Sequence, residues 1–231
     1  MYTIHTPTPN HALGIANCIQ LSFGESASVE NIARIIEEKQ HTTYISLSPA
    51  GQVAGFVDTF QTKAQDNTSR HEIDLLAVHP DHRRNGIARK LVQASLRASN
   101  SDMSRALVAS DNKPMQNNLH KLGFQQSKLH ALYTASTSAT LVATSTDAHL
   151  IPVDTFTYNG IWLEGNITPQ AINAALYQHT QQQRDVVGVV ISTDNIDAIN
   201  NLQIAKFERI NTYHWWHIQT KSINRVESKT Q

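Results

Sequence analysis

The sequence predicts a mixed α/β fold, a mixed sheet with helices on both faces, and three observations carry that prediction. Short apolar runs of strand character alternate with segments whose apolar residues recur at helical spacing. The order is strands, then helices, then strands again, which builds a sheet that helices cover. At 231 residues, the chain can bury a sizeable core and corresponds to about one and a half ordinary domains.

The elements follow in order. Residues 2–5 read as a short first strand. Pro7 and Pro9 punctuate, and residues 12–23 read as a helix with Ala12, Ile15, Ala16, Ile19 and Phe23 inward. Residues 24–28 form a loop, and Ser28 caps a second helix with the stripe Val29, Ile32, Ala33 and Ile36. Residues 42–47 and 52–60 read as strands joined by the turn Ser48-Pro49-Ala50-Gly51. Residues 61–70 are polar and read as a connection. Ile73-Asp74-Leu75-Leu76-Ala77-Val78 is the run of a mostly buried strand, which His79-Pro80-Asp81 breaks. In the helix that follows, Ile87, Leu91 and Ala94 lie on one side, with Ala88, Val92 and Leu96 beside them. Residues 105–110 are a fifth strand, 114–122 a helix with Met115, Leu119 and Leu122 on one face, and 124–133 at least one further strand.

Composition bounds the chemistry. Lys+Arg and Asp+Glu number 19 each, so no global field draws the chain to nucleic acid. The 12 histidines show no metal-ligand spacing and read as surface polar residues, so no metal is expected. The one cysteine, Cys18, lies among Ile15, Ile19 and Leu21 and reads as a buried thiol; a lone cysteine suits the cytoplasm. No apolar run approaches membrane-spanning length and the N-terminus lacks a basic-then-apolar leader, so no membrane partner is expected.

The strand at 73–78, the basic turn Arg83-Arg84-Asn85-Gly86-Ile87-Ala88 and the helix behind it are the parts of an anion site. Orphan N–H groups and the positive end of the helix point outward there. The turn has neither the GK[ST] ending of a P-loop nor GxGxxG. It resembles the pyrophosphate-binding signature [QR]-x-x-G-x-[GA] of the GNAT superfamily of N-acetyltransferases. Downstream, Asp111-Asn112 and Lys121-Leu122-Gly123-Phe124 resemble the family segment N-x(6)-Y-x-K-L-G-F, in the right order and spacing. Residues 1–134 thus resemble one complete GNAT domain.

The resemblance implies acetyl-CoA, or another acyl-CoA, as co-substrate. Its pyrophosphate would rest on the amides of Arg84, Asn85, Gly86, Ile87, Ala88 and Arg89, with Arg83 adding charge. Its pantetheine arm would pair with the backbone of Leu76, Ala77 and Val78, and Asn112 matches the asparagine that contacts it. The loop after the first helix borders the acceptor in this family, which makes Phe23 and Glu25 candidates to touch it. Glu72 stands 11 positions before Arg83, the spacing of the general base in histone-acetylating members. Strand alternation turns Glu72 and Asp74 the same way, a paired-carboxylate site for a cationic amine. The family's general-acid tyrosine is replaced by Leu119, which cannot donate a proton. The expected activity is acetyl transfer to a small-molecule or peptide amine by direct attack in a ternary complex. The competing reading is a non-catalytic acyl-CoA-binding sensor on a decayed site.

Residues 135–231 form a second part. Leu141-Val142-Ala143 is an apolar centre in a Ser/Thr-rich stretch, a strand or a linker. Strand runs stand at 161–164, 186–191 and 213–218, and Thr168-Pro169 opens a helix. Asp111-Asn112 recurs as Asp194-Asn195, Asn117-Asn118-Leu119 as Asn200-Asn201-Leu202, and Phe124 as Phe207, each 83 positions on. The second part therefore reads as a degenerate, partial GNAT-like repeat. Its counterpart of the turn, Asn166-Ile167-Thr168-Pro169-Gln170-Ala171, lacks the signature and should bind no second cofactor. The repeat is expected to fill a surface that a partner covers in dimeric relatives, leaving a monomer or homodimer.

Overall fold

The computed structural model describes residues 1–136 and 147–220. The segment Leu141-Val142-Ala143 lies outside them. The elements are β1 (Thr3–His5), α1 (Ala12–Phe23), α2 (Val29–Ile36), β2 (His41–Leu47), β3 (Val53–Lys63), β4 (Ser69–Val78), α3 (Ile87–Ala98), β5 (Met103–Ala109), α4 (Lys113–Lys121) and β6 (Gln125–Ala135). There follow β7 (His149–Asp154), β8 (Asn159–Glu164), α5 (Pro169–Gln181), β9 (Val186–Ser192), α6 (Ile196–Ile204) and β10 (Glu208–Gln219). The fold is mixed α/β, as the alternation of strand and helix patterns predicts. It divides into two compact units. The sequence boundary at 134/135 is drawn by resemblance, whereas compactness assigns Val108–Asn112 and Ser127–Trp215 to the second unit and the chain from Trp216 to the first.

In the first unit β1, β2, β3 and β4 run antiparallel in order, and β5 lies parallel to β4. The end of β10 adds to it, the Thr220 N–H donating to the Asp102 carbonyl at 3.0 Å. Strands β3 and β4 extend into the polar stretch expected to be a connection. The reason is a buried polar network: Arg70 Nε donates to Thr62 Oγ1 (3.0 Å) and its Nη2 to the Lys63 carbonyl (3.0 Å), while His71 Nδ1 meets Ser104 Oγ (2.9 Å). Polar residues satisfied in this way can occupy strands that periodicity alone would end. Helix α3 sits close on the sheet because Gly55 has no side chain. A Cβ there would lie 2.8 Å from the Ala77 carbonyl oxygen and 3.2 Å from Ile87 Cγ2. The inward stripe of α1 is Ala12, Ile15, Cys18 and Ile19. Phe23, expected inward, is 46% exposed, because the helix ends at Gly24 in the left-handed conformation (φ 76°) and carries its last turn past the sheet.

In the second unit β10, β6, β9, β8 and β7 lie in that order, with β8 and β9 parallel and the pairs β6–β9 and β7–β8 antiparallel. Pro152 sits in β7 at the edge, the one place a strand tolerates a residue without an N–H; it also hid β7 from periodicity. Strand β9 begins and ends 83 positions after β5, α6 begins and ends 83 after α4, and β10 begins 83 after β6. The echo seen in a few asparagines is thus an echo of whole elements.

Candidate functional site

The basic turn is built to leave amides free. After β4, Pro80–His82 makes one 3₁₀ turn, with His79 Nδ1 accepting from the Asp81 N–H at 3.3 Å. Arg84 (φ 64°) and Gly86 (φ 71°) are both left-handed, and such alternation curls successive N–H groups into an anion-binding concavity. Gly86 is the N-cap of α3 and offers no side-chain cap, and the first turn holds no acidic residue. The Asn85 amide donates instead to the carbonyls of His82 and Arg83, both at 3.1 Å. The N–H groups opening α3 therefore present the helix's positive end without a competing side chain. Arg83, Arg84, Asn85, Gly86 and Arg89 are exposed, Ala88 is half-buried and Ile87 anchors the turn in the core. Arg83 is not a free cation: its Nε donates to the Val78 carbonyl (3.1 Å) and its Nη2 stands 3.5 Å from Ser22 Oγ. Arg84 and Arg89 are left as the exposed charges.

Beside the turn, β4 has one edge paired and one edge open. It bonds β3 from Lys63↔Ser69 to Gly55↔Val78, but its pairing with β5 stops at Ile73↔Ala106. The Ala77 carbonyl points to Gly55 on β3. Alternation then turns the polar groups of Leu76 and Val78 toward the edge that β5 has left. Arg83 and Ser22 already occupy the Val78 carbonyl. Of the three backbone positions expected to receive an extended arm, Ala77 therefore faces β3.

The carboxylates differ from the simple pair expected. Glu72 is 2% exposed. Its carboxylate accepts from Arg105 Nε (2.9 and 2.7 Å) and from Thr62 Oγ1, and lies 3.4 Å from Arg70 Nε. A carboxylate so bound between two guanidinium groups has little lone-pair capacity left for a substrate proton. Asp74 is placed otherwise. The β3–β4 register passes from Asp58↔Leu75 to Thr59↔Ile73, so Asp74 is the extra residue of a bulge. Burial pushes its carboxyl up to about 7, the negative charges of Asp58 and Glu72 push the same way, and His41 pulls back. Although the carboxyl is shielded, the residue as a whole retains some surface.

Behind it lie residues that the sequence reading missed. His41 Nδ1 donates to Asp58 Oδ2 (2.9 Å) and Thr43 Oγ1 to Asp58 Oδ1 (2.6 Å), with Asp58 wholly buried. Burial acts to lower the His41 pKa, but Asp58, Asp74 and Glu38 together outweigh it and raise it. A lone aspartate inside the apolar run of β3 was the available signal, since a buried charge needs a partner.

Phe23 and Glu25 are exposed at the end of α1, one and three residues past Ser22, whose hydroxyl donates to the Val78 carbonyl at 3.4 Å. Asn112 is exposed and belongs to the second unit. Leu119 is wholly buried. Cys18 is buried too, its thiol pushed up to about 11 by burial. The second unit's counterpart of α3 is closed: Thr168 Oγ1 accepts from the Ala171 N–H at 3.1 Å and caps α5. Among the described residues, no helix is long and apolar enough to cross a membrane and no group of three His, Cys, Asp or Glu could hold a metal.

The sequence model described as Acetyltransferase (GNAT) family matches residues 14–124. No curated protein matches the chain. Among solved structures, it is similar to a GCN5-related N-acetyltransferase from Sphaerobacter thermophilus, with a TM-score of 0.61 at 12% identity over 95% of this chain and 96% of that one. It is also similar to NAA60 of Arabidopsis thaliana in complex with acetyl-CoA, with a TM-score of 0.51 at 13% identity over 56% of this chain and 87% of that one. A third likeness is to a fungal multi-domain GH3 beta-N-acetylglucosaminidase with a GCN5-related glucosamine N-acetyltransferase region (TM-score 0.66, 11% identity, 94% of this chain). This chain spans 38% of that protein. At such identities the likeness is one of fold.

Proposed function

We propose, from the match of residues 14–124 to the acetyltransferase (GNAT) family model, an acetyl-CoA-dependent N-acetyltransferase acting on a primary amine by direct attack in a ternary complex. One observation carries the reading: an uncapped helix start behind a left-handed turn adjoins a strand edge that its neighbour has left. An extended, pyrophosphate-bearing ligand needs both features. The residues fit acetyl-CoA, whose thioester supplies the acyl carbon. The amides of residues 84–89 would hold the pyrophosphate, with Arg84 and Arg89 as counter-charges. Leu76 and the N–H of Val78 would offer backbone pairing to the arm, and Asn112 is proposed to contact it as well. Phe23 and Glu25 would border the acceptor, and the uncommitted carboxyl of Asp74 favours a cationic one. Cys18, buried and un-ionised, supports direct transfer over an acyl-cysteine. A cytoplasmic protein, monomeric or homodimeric, fits this reading, with residues 135–231 as a partial GNAT-like repeat.

The buried Leu119 and the ion-paired Glu72 favour the second reading, an acyl-CoA-binding protein without turnover. Affinity cannot separate the two. A scan of amines, from small alkylamines to peptide N-termini, with acetyl-CoA and a thiol-detecting reagent can. Thiol release that depends on one class of amine is expected; CoA binding with none against any amine would leave the sensor.

A further inference from the structure

Resting on the proposed activity, we infer that Asp74 takes the proton of the acceptor ammonium, and that His41 and Asp58 act as positioning residues behind it. Three observations on one face converge. First, Asp74 is the bulged residue of β4 and follows directly on Ile73, the last residue that β4 pairs with β5. Asp74 thus stands where the two parallel strands part, beside the backbone edge offered to the acyl-bearing arm. Secondly, among the described residues no hydrogen bond reaches the Asp74 carboxyl, whereas Glu72 is held by Arg105, Arg70 and Thr62. Asp74 is the uncommitted carboxyl of the two. Thirdly, the charged groups around it are fixed. Asp58 on β3 is held by Thr43 and His41, both on β2; Glu72 shares the strand; Glu38, just beyond α2, acts on His41.

The arrangement suits a base that must act near neutrality. An alkylammonium with a pKa of about 10.4 is almost wholly protonated there. A carboxylate in the ordinary range would hold its proton too weakly to help much, and a base matched to the ambient pH does best. Burial pushes Asp74 up to about 7, with Asp58 and Glu72 adding to the shift and His41 opposing it. The balance is simple. One proton passes from the ammonium to Asp74. The nitrogen–carbon bond forms as the carbon–sulfur bond breaks, and the second nitrogen proton goes to the departing sulfur. Asp74 then returns its proton to solvent. No separate acid is required, which accords with a leucine at 119.

The experiment uses the full chain. Asp74→Asn should bind CoA within about twofold of the parent by calorimetry. Its turnover of whichever amine the parent accepts should fall by the roughly 10²–10⁴ of a lost general base. The acid limb of the parent's kcat/KM profile near pH 7 should vanish with it. His41→Asn removes the charge that holds Asp74 down, so its limb should move to higher pH. A carboxyl-carbon NMR titration, without either substrate, should find Asp74 near 7 and that resonance missing from Asp74→Asn. A variant as fast as the parent with the limb intact, or an Asp74 that titrates near about 4, overturns the role and leaves the proposed activity standing. A parent that binds CoA and acetylates nothing overturns that activity and this role together.

Discussion

A tyrosine at position 119 would need room that does not exist, since Leu119 has no exposed surface and its carbonyl accepts from the Phe124 N–H at 3.1 Å. Leu119→Tyr should overpack α4 and cost about 1–3 kcal/mol, with no gain in acetyl-CoA turnover; a melting curve and a rate on one preparation check both. Titration offers a second handle. Burial holds His71 down to about 4 from 6.5, and pushes Asp74 up from 3.8 to about 7. Between pH 4 and 6.5 the unfolded chain carries a proton on His71 that the folded protein lacks, so this contribution to stability is lost as pH falls. Over nearly the same window the folded protein carries a proton on Asp74 that the unfolded chain lacks, so that contribution grows as pH falls. The slopes oppose one another, each at most about 1.4 kcal/mol per pH unit. Relative to the parent, His71→Asn should gain stability in urea as pH drops from 6.5 to 4, and Asp74→Asn should lose it. Glu72 and Asp74 were legible as two carboxylates of one strand. What divides their roles was not, because Arg105 stands 33 residues from Glu72 and a bulge leaves no mark in alternation.

At the scale of elements, the strand, turn and helix from β4 to α3 carry the most local information. Proline breaks the strand, glycine supplies the left-handed cap and the apolar stripe resumes at Ile87. Gly86→Asp tests the element. No atom lies within 4 Å of a Cβ placed there, but φ is +71°, so about 1–2 kcal/mol of strain is expected and the fold should be retained. A negative charge at the mouth of α3 opposes a pyrophosphate, and CoA affinity should fall tenfold or more, about 1.4 kcal/mol. Calorimetry on folded variant and parent decides; equal affinity would place the cofactor elsewhere. Helix α1 was legible to the residue because it has a stripe and a glycine stop, and α2 through its Ser28 cap and apolar stripe, although the stripe missed the buried Ile35. The ends of β3 and β4 were not, since Thr62 and Arg70 are polar residues whose buried hydrogen bond to each other across the hairpin leaves no mark in apolar periodicity. Pro152 hid β7 for the opposite reason: a local signal against a strand that an edge position tolerates.

At the scale of the molecule, β5 and α4 return 83 residues later as β9 and α6, and β10 begins 83 residues after β6. The echo was visible in Asn, Leu and Phe positions, but which strand completes which unit was not. Strand β6, from the first part of the sequence, pairs with β9 of the second. The end of β10 closes the first unit, where Trp216 is 3% exposed and the Thr220 hydroxyl donates to the Ser101 carbonyl. A chain ending near Ala135 thus loses more than a neighbour; it loses a strand of the unit that bears the candidate site. Such a truncation should melt lower and associate in sedimentation, with apolar surface newly open. A monomer as stable as the parent would refute the dependence. The same strand has a consequence for how the protein is made. Ser101 leaves the ribosome 119 residues ahead of Thr220, a delay of roughly 6–24 s at about 5–20 residues per second. For that interval a nascent copy holds the β5 edge open to whatever strand or chaperone reaches it first, until β10 has been made.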